Sequence, residues 1–410
     1  MSEKKILIIG AGFGGIRCAL DLAEHHLDGV KITLVNSTPH FEYHASLYRV
    51  LTGRSPLEVC VPLQEIFSGK KVEVVEDYIT DVDFKKNKAL GKSGSSYHYD
   101  YLVLGLGSET AYYDIDGLKE WSFSMKSIAE ALNLKKHLHE LFSESQKTKD
   151  GSAFHIIVVG GGATGVETAG ELVMYTKKLS EKHGIDPTLI TIDLITSSSR
   201  LVPQASKEMS EKIRLRLGSL GVNVYLNRRV MKEEVEEIYL KDMRMRAKTI
   251  MWAAGVKGNE LYRIFNLPVN KKGQVIVNTY LQPFNNATKK QYNNVFVVGD
   301  GADTKYSGLA KTALHDGRYV SDAILRKLHD QNLVKYIPEQ PDCIIPVGPS
   351  WAAAEFYDQI IYGRLGWYLR RLNDLKFFLS ILPFQKAMTA WKEDGILWES
   401  CPVCRGEIFE

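Results

Sequence analysis

Two glycine-rich turns constrain this chain more than any other feature of its sequence. In "KILIIGAGFGGIRCAL" (Lys5–Leu20) and in "IIVVGGGATGVETAGEL" (Ile156–Leu172), an aliphatic run leads through G-x-G-x-x-G into apolar residues at helical spacing. The motif glycines are Gly10, Gly12 and Gly15 in the first copy and Gly160, Gly162 and Gly165 in the second. The first glycine allows a tight turn, the second lets a pyrophosphate approach the backbone, and the third lets helix and strand pack closely. The pattern therefore predicts two dinucleotide-binding units, against the alternative of two tight turns without a ligand.

Composition narrows the class of protein. A chain of 410 residues with 44% hydrophobic and 25% charged residues is long enough for two or three domains. A net charge of +3 gives no reason to expect nucleic-acid binding. The five cysteines have no framework spacing, and no signal peptide precedes the first predicted strand at Lys4, so we expect an intracellular protein. No apolar run reaches the length of a membrane-spanning helix.

A further pair of matching strands organises the chain. "YDYLVLGLGSET" (Tyr99–Thr110) and "AKTIMWAAGV" (Ala247–Val256) are both apolar strands that end in glycine, one after each glycine-rich turn. "NNVFVVGDGAD" (Asn293–Asp303) then adds a strand that ends in Gly299 and Asp300. A carboxylate at the carboxyl edge of a parallel sheet can accept hydrogen bonds from a ribitol hydroxyl, although Asp300 could also cap the following helix. The order predicts a duplicated nucleotide-binding domain with the second copy inserted in the first.

These pieces resemble the flavoproteins with two dinucleotide-binding domains, and most closely the type II NADH dehydrogenases, which are single-subunit NADH:quinone oxidoreductases of respiratory chains. The resemblance covers nearly the whole chain and implies an α/β fold of two Rossmann-like domains plus a C-terminal amphipathic, membrane-associating region. It implies FAD as cofactor, NADH or NADPH as co-substrate and a quinone as acceptor. The domains implied are 1–115 and 273–345 for FAD, 116–272 for NAD(P)H, and 346–410 for membrane association or dimerisation.

The resemblance also assigns cofactor-binding residues. For FAD they are Gly10, Gly12, Phe13, Gly14, Gly15, Asn36, Gly107, Gly299, Asp300 and Ala310. For the nicotinamide cofactor they are Gly160, Gly162, Gly165, Thr196, Arg200 and Gly255. No metal site is predicted, although Cys401 and Cys404 form half of a possible zinc site.

The positions that contact the adenosine ribose depart from the usual acid. Asn36 follows the second strand of the first unit, and Thr196 stands where the second unit would carry its carboxylate. Because residue 196 is not an acid, it would not repel a 2′-phosphate. Ser197, Ser198 and Arg200 could bind such a phosphate. Arg200 could instead cap its own loop, so NADH and NADPH both remain possible.

Three residues are candidates for catalysis. Type II dehydrogenases carry A-Q-x-A-x-Q after the Gly-Asp strand, whereas "AKTALHDG" places Lys311 and His315 at the glutamine positions. Lysine only donates hydrogen bonds, so Lys311 could polarise a flavin or quinone oxygen, or it could lie solvated on a helix face. Glu167, just inside the second glycine-motif helix, resembles a glutamate implicated in proton or quinone coupling, with a helix-dipole role as the alternative.

The C-terminal segment "IYGRLGWYLRRLNDLKFFLSILPFQKAMTAWK" has apolar residues at helical spacing and six basic residues against the single acid Asp374. This pattern favours an amphipathic helix in the interface of an anionic membrane, although a dimer or core helix is also possible. We therefore expect a peripheral protein on the inner face of the cell membrane, and a homodimer. Three alternatives stay open: a soluble NAD(P)H-dependent reductase with a protein acceptor such as ferredoxin or rubredoxin, a sulfide:quinone oxidoreductase-like enzyme, and a redox sensor.

Overall fold

The computed structural model describes residues 3–56, 59–144, 154–356 and 359–393. Its strands are β1 (Lys4–Ile9), β2 (Val30–Asn36), β3 (His40–Glu42), β4 (Cys60–Pro62), β5 (Glu73–Glu76), β6 (Ile79–Asp83), β7 (Lys88–Gly91), β8 (Ser96–His98), β9 (Tyr101–Leu104), β10 (Ser108–Thr110), β11 (His155–Val159), β12 (Thr191–Ile195), β13 (Val222–Tyr225), β14 (Val230–Glu234), β15 (Glu237–Leu240), β16 (Arg244–Arg246), β17 (Thr249–Trp252), β18 (Val256–Gly258), β19 (Val295–Val297), β20 (Cys343–Pro346), β21 (Ala352–Phe356) and β22 (Gln359–Gly363). Its α-helices are α1 (Phe13–Glu24), α2 (Leu47–Leu51), α3 (Leu63–Ile66), α4 (Leu118–Trp121), α5 (Ile128–Glu144), α6 (Ala163–His183), α7 (Lys207–Ser219), α8 (Leu261–Ile264), α9 (Ala310–Leu328), α10 (Arg364–Ile381) and α11 (Phe384–Glu393).

The first compact unit comprises Met1–Glu42, Cys60–Glu109 and Val256–Pro341. Its central sheet is parallel, with the strand order β19-β9-β1-β2-β5. The aliphatic residues of β1 are buried, as expected for a strand covered on both faces. Helices α1 and α9 pack against each other, and a Cβ on Gly317 would lie 2.4 Å from the carbonyl oxygen of Gly14. Glycine at 317 is therefore what allows the two helix backbones to approach.

The second unit comprises Tyr43–Val59, Thr110–Gly255 and Asp342–Glu410. Its main sheet is again parallel, with the order β13-β12-β11-β17. Two antiparallel sheets accompany it, β14-β15-β16 and β20-β21-β22. Its longest segment, Thr110–Gly255, lies in the sequence between β9 and β19, which are neighbours in the first sheet.

The predicted α/β fold with Rossmann-like sheets is confirmed. The compact units divide the chain at other positions than the predicted domains: 43–59, 110–115 and 342–345 group with the second unit, and 256–272 group with the first. The predicted boundaries stay predictions. Within the described ranges, no helix combines the length and the apolarity that crossing a bilayer requires.

Candidate functional site

The first glycine motif forms a cradle at the carboxyl end of β1. Gly10 has a φ of +100°, and a Cβ there would lie 2.4 Å from the carbonyl oxygen of Gly105. A Cβ on Gly15 would lie 2.0 Å from the carbonyl oxygen of Gly10. Gly12 differs, since the nearest atom to its Cβ position is 3.9 Å away. The outer glycines are thus required by the fold, whereas the middle one faces open space.

The second motif, in the other unit, repeats this geometry. Gly160 has a φ of +136°, and its Cβ would lie 2.5 Å from the backbone of Ala253. A Cβ on Gly165 would lie 1.9 Å from the carbonyl oxygen of Gly160, while no atom of the described residues lies within 4 Å of the Cβ position of Gly162. In both copies the helix begins directly after the middle glycine, so its unpaired N–H groups adjoin the open space. Such an arrangement is suited to a pyrophosphate.

Neighbouring predicted residues shape the first cradle. Asn36, at the end of β2, accepts a hydrogen bond from the backbone N–H of Ala11 at 2.8 Å and donates to the carbonyl of Thr38 at 2.9 Å. Phe13 packs edge-on against Phe41, with ring centroids 5.1 Å apart. Asn36 therefore ties the end of β2 to the glycine turn.

Gly14 and Gly107, which are also predicted to bind FAD, differ in the space around them. A Cβ on Gly14 would lie 2.9 Å from a methyl carbon of Val298, so α1 runs close to the end of β19. Gly107 has a φ of +68°, and its Cβ position has no atom within 4 Å in the part of the chain that the structure describes. Gly107 thus leaves a second open position at the end of β9.

The Gly-Asp turn is held by groups that the sequence analysis missed. Gly299 has a φ of +71°, and the Asp300 carboxylate accepts a hydrogen bond from the Ser108 hydroxyl at 2.7 Å. The fully buried Asp316 accepts the backbone N–H of Gly299 at 2.9 Å and the hydroxyl of Tyr336 at 2.6 Å. Burial raises the pKa of Asp316 to about 6, although its hydrogen bonds oppose the shift. Asp316 follows His315 directly, but nothing in the motif signals its contact with the turn.

Lys311 and His315 lie on the first two turns of α9, which begins at Ala310. The Lys311 ammonium is 3.7 Å from one carboxylate oxygen of Glu339, and Nδ1 of His315 is 3.6 Å from the other. Nε2 of His315 lies 3.0 Å from the carbonyl oxygen of Ile337. The two predicted catalytic side chains are therefore brought together around one acid on the segment that follows α9.

The fit of FAD to the first unit can be tested on its polar atoms. Thr312, also on the first turn of α9, is 3% exposed, and its hydroxyl has no hydrogen-bond partner within the described part of the chain. Buried hydroxyls are normally satisfied. The next residue, Ala313, lies 3.0 Å from the Cβ position of Gly14 and 3.3 Å from that of Gly299. An unsatisfied hydroxyl on this turn of α9 fits a ligand with polar groups along its length, as FAD has.

The predicted ribose-reading residues of the second unit have defined contacts. Thr196 packs onto Gly161, since a Cβ on Gly161 would lie 2.8 Å from the Cβ of Thr196. The Thr196 hydroxyl accepts a hydrogen bond from the backbone N–H of Ser198 at 3.2 Å. Arg200 donates to the carbonyl oxygens of Ala205, at 2.7 Å, and of Pro203. Arg200 thus caps its own loop, which is the alternative that the sequence left open.

Gly255 lies after β17, where a Cβ would fall 2.0 Å from the hydroxyl oxygen of Tyr113. Glycine is therefore required at this position if Tyr113 is to stay where it is.

Glu167 lies in a buried charge cluster of the second unit. The Glu167 carboxylate is 3.3 Å from the Arg370 guanidinium, and Arg370 also contacts Asp374 at 2.9 Å. Asp374 accepts the hydroxyl of Tyr43 at 2.8 Å and lies 3.7 Å from the Arg49 guanidinium. Burial raises the pKa of Glu167 to about 7, against the opposing effect of Arg370. A carboxyl group whose pKa is raised towards neutrality can exchange a proton at physiological pH.

Helix α10, in the C-terminal segment, has two different faces. Arg370, Arg371 and Asp374, which the charge pattern assigned to a lipid-facing surface, are buried. The opposite face carries exposed apolar side chains, namely Leu365, Tyr368, Leu372 and Leu379. Arg364 and Lys376 are exposed on the same helix. A helix forms in this segment, but two of its arginines and its acid belong to the protein interior. Cys401 and Cys404 lie outside the described residues.

Comparison with known proteins gives consistent results. The chain is 25% identical to a type II NADH:quinone oxidoreductase of Staphylococcus haemolyticus over 394 residues, which are 92% of this chain and 96% of that protein. It is 26% identical to the Staphylococcus aureus enzyme of the same name over 395 residues, with the same coverage. These matches confirm the resemblance predicted from the motifs.

Solved structures share the fold. NDH2 from Plasmodium falciparum in complex with NADH matches with a TM-score of 0.84 and 18% identity, covering 96% of this chain and 97% of that one. The sulfide:quinone oxidoreductase of Aquifex aeolicus matches with a TM-score of 0.76 and 22% identity, covering 94% and 92%. Residues 4–317 match the pyridine nucleotide-disulphide oxidoreductase family, and the chain belongs to that family.

Proposed function

We propose that this protein is an FAD-dependent oxidoreductase that takes a hydride from NADH or NADPH and passes two electrons to a quinone. The observation that carries the proposal is the repeated glycine cradle, in which Gly12 and Gly162 leave room for a ligand among the described residues. The likeness to type II NADH:quinone oxidoreductases over 92% of the chain supports the choice of donor and acceptor. FAD, when bound, supplies the two-electron chemistry that amino acid side chains lack.

The residues of the first unit would hold FAD. The α1 N-terminus and Gly12 would receive the pyrophosphate, and Asp300 would accept a hydrogen bond from the ribitol chain. Lys311 would donate a hydrogen bond to an electron-rich oxygen, with Glu339 as its present counter-charge. Gly162 and the α6 N-terminus would bind the pyrophosphate of the nicotinamide cofactor.

Glu167 is proposed as the group that holds an exchangeable proton. Burial raises its pKa to about 7, which favours the protonated state, and Arg370 stabilises the charged one. A quinone that accepts two electrons also takes up two protons, so a carboxyl group of this kind can supply one.

The test is anaerobic reduction of the purified yellow protein by NADH and by NADPH, followed by addition of a soluble quinone. Bleaching by either nucleotide and return of the colour with quinone are expected. Gly162→Val should retain the flavin and lose the bleaching, because the new side chain fills the open position. Gly218→Val is the matched control, since its Cβ position also has no described atom within 4 Å. A colourless protein that stays colourless after reconstitution with FAD, or equal loss in both variants, would contradict the proposal.

We further propose that the exposed face of α10 binds the membrane surface peripherally, on its inner side. Leucines that are 60%, 57% and 42% exposed at 365, 372 and 379 form an apolar stripe, and basic residues stand beside it. Such a face can enter the headgroup region of an anionic bilayer.

Flotation with phosphatidylglycerol vesicles tests the membrane proposal. Leu372→Asp should leave most protein in the unbound fraction. Leu215→Asp removes a leucine of similar exposure, 54% against 57%, from α7 and should float like the native protein. Equal flotation of the two variants would refute the lipid-binding face. The proposed homodimer is tested separately by sedimentation equilibrium.

A further inference from the structure

The inference concerns the loop after β12 and rests on the proposed function, in which this loop receives the adenosine ribose. In dinucleotide-binding units the residue after the second strand reads the 2′ position, and a carboxylate there excludes a 2′-phosphate. Here Thr196 occupies that position, with its hydroxyl turned to the N–H of Ser198. The loop therefore lacks the usual repulsive charge, but a phosphate also needs a cation.

Arg200 is committed elsewhere. One of its terminal nitrogens donates to the carbonyl oxygen of Ala205 at 2.7 Å and lies 3.5 Å from the hydroxyl of Ser210, and the other donates to the carbonyl of Pro203. These bonds satisfy carbonyls of the loop that leads into α7. Moving Arg200 to a phosphate would leave those carbonyls without their donor.

A second arginine adjoins the same loop. The backbone N–H of Arg228 donates to the carbonyl oxygen of Thr196 at 2.9 Å, and that of Asn227 donates to the carbonyl oxygen of Ser198 at 3.0 Å. The turn after β13 is thus fixed against the loop after β12 by two hydrogen bonds. The side chain of Arg228, which is several ångströms long, therefore begins beside Thr196, the position that contacts the ribose.

Hydroxyl donors are available at the same place. Ser197, Ser198 and Ser199 are consecutive, partly or fully exposed, and make no side-chain hydrogen bond with other described residues. Hydroxyl and guanidinium donors together are a usual set for a phosphate dianion.

The present partner of Arg228 is weakly held. Its guanidinium lies 3.2 Å from the Asp242 carboxylate, and the two side chains are 40% and 48% exposed. An ion pair this exposed contributes little to stability, so Arg228 can exchange Asp242 for a ligand at low cost.

We infer that Arg228, together with the serines at 197–199, binds the 2′-phosphate of NADPH and gives this chain a preference for NADPH over NADH. Arg228 is thus a specificity-determining residue. Arg200 supports the loop.

The test is titration of the FAD-loaded protein with adenosine 2′,5′-bisphosphate and with adenosine 5′-monophosphate, followed by flavin reduction with NADPH and NADH. The native protein should bind the bisphosphate more tightly. Arg228→Ala should weaken the bisphosphate by about tenfold, the value of one charge-assisted hydrogen bond, and the monophosphate by less than about twofold. Asp242→Asn should strengthen bisphosphate binding, because it releases Arg228 and removes a negative charge that would repel the phosphate.

Arg229→Ala is the matched control, since it removes the same charge from the adjacent position of the turn. Equal effects of the two arginine variants on both nucleotides would overturn the assignment, as would a native protein that binds the two adenosine phosphates equally. In those cases bleaching by NADH would still uphold the proposed function. Failure of both dinucleotides to reduce the flavin would instead overturn the proposed function and this inference with it.

Discussion

Replacing Arg370 with methionine should destabilise the second unit in a pH-dependent way. Arg370 is 6% exposed and lies between Glu167, 7% exposed, and Asp374, 1% exposed. At the 3.3 Å separation of the Glu167 and Arg370 groups, the attraction is about 5 kcal/mol with an effective dielectric constant near 20. Much of this offsets the cost of burying the charges. Removing one partner from such a cluster costs about 3–5 kcal/mol, because the remaining charge is left uncompensated.

The sign of the pH dependence follows from Glu167. Burial raises its pKa in the native protein to about 7, above the value for an unfolded chain, and Arg370 opposes that rise. Without Arg370 the folded-state pKa of Glu167 rises further. The added loss of unfolding free energy is therefore small at low pH, where Glu167 is protonated in both proteins, and it grows as pH rises through the folded-state pKa of the native protein. The loss of unfolding free energy in Arg370→Met should therefore be larger at pH 8.5 than at pH 5.5.

Urea denaturation followed by tryptophan fluorescence measures the effect. Arg364→Met, an exposed arginine of the same helix, is the control and should change the unfolding free energy by less than about 0.5 kcal/mol. In the double variant with Glu167→Gln, part of the loss at pH 8.5 should return, because no acid remains at 167 to be left unpaired. An Arg370→Met loss that equals the control, or that is the same with and without Glu167→Gln, would refute the reasoning.

Two other buried carboxyl groups give further predictions. Glu233 is 2% exposed, its Oε2 has no partner within the described chain, and burial raises its pKa to about 8. As pH rises from 5 to 9, the unfolding free energy of Glu233→Gln should therefore increase by about 1–3 kcal/mol relative to that of the native protein. A difference in urea midpoint that does not change with pH would contradict this. Asp316→Ala should release FAD faster, measured by flavin fluorescence after dilution, because it leaves the Gly299 N–H and the Tyr336 hydroxyl without their acceptor. Asp316→Asn keeps one acceptor and should restore most of the retention, so equal FAD loss in both variants would refute a positioning role.

The glycine cradles could be predicted from sequence because their geometry is local. A positive φ at Gly10 and contacts of 2.0–2.4 Å from added Cβ atoms follow from how a strand, a turn and a helix must join. The buried charge cluster could not be predicted in this way. Glu167 and Arg370 are 203 residues apart in the chain, and no spacing rule relates them.

The helix α10 shows a second limit of sequence patterns. Its apolar residues occupy more than one face, and periodicity does not say which face the protein itself covers. Arg370 and Asp374 are four residues apart and form an ordinary pair on an exposed helix, yet here the pair is buried. The packing of Phe377 and Phe378 beside Tyr43 distinguishes the buried face from the exposed one.

The helices that follow the two glycine motifs differ in how they neutralise a buried charged residue. This difference explains why the second helix needs a counter-charge from the C-terminal part of the chain. The second residue after the third glycine is Arg17 in the first copy and Glu167 in the second, and both are buried. Arg17 pairs with Asp21, one helical turn further on. The corresponding neighbour of Glu167 is Glu171, a like charge whose own pKa is raised by burial.

Helix α6 therefore cannot neutralise Glu167 by itself, and the counter-charge comes from Arg370 on α10. Close packing of the C-terminal part of this unit makes that possible, since a Cβ on Gly170 would lie 2.7 Å from the backbone nitrogen of Gly348. In the proposed enzyme the same helix would carry both this counter-charge and the lipid-facing leucines. A shift of α10 on membrane binding would then change the distance between Arg370 and Glu167, and with it the pKa of the carboxyl group that is proposed to hold the proton.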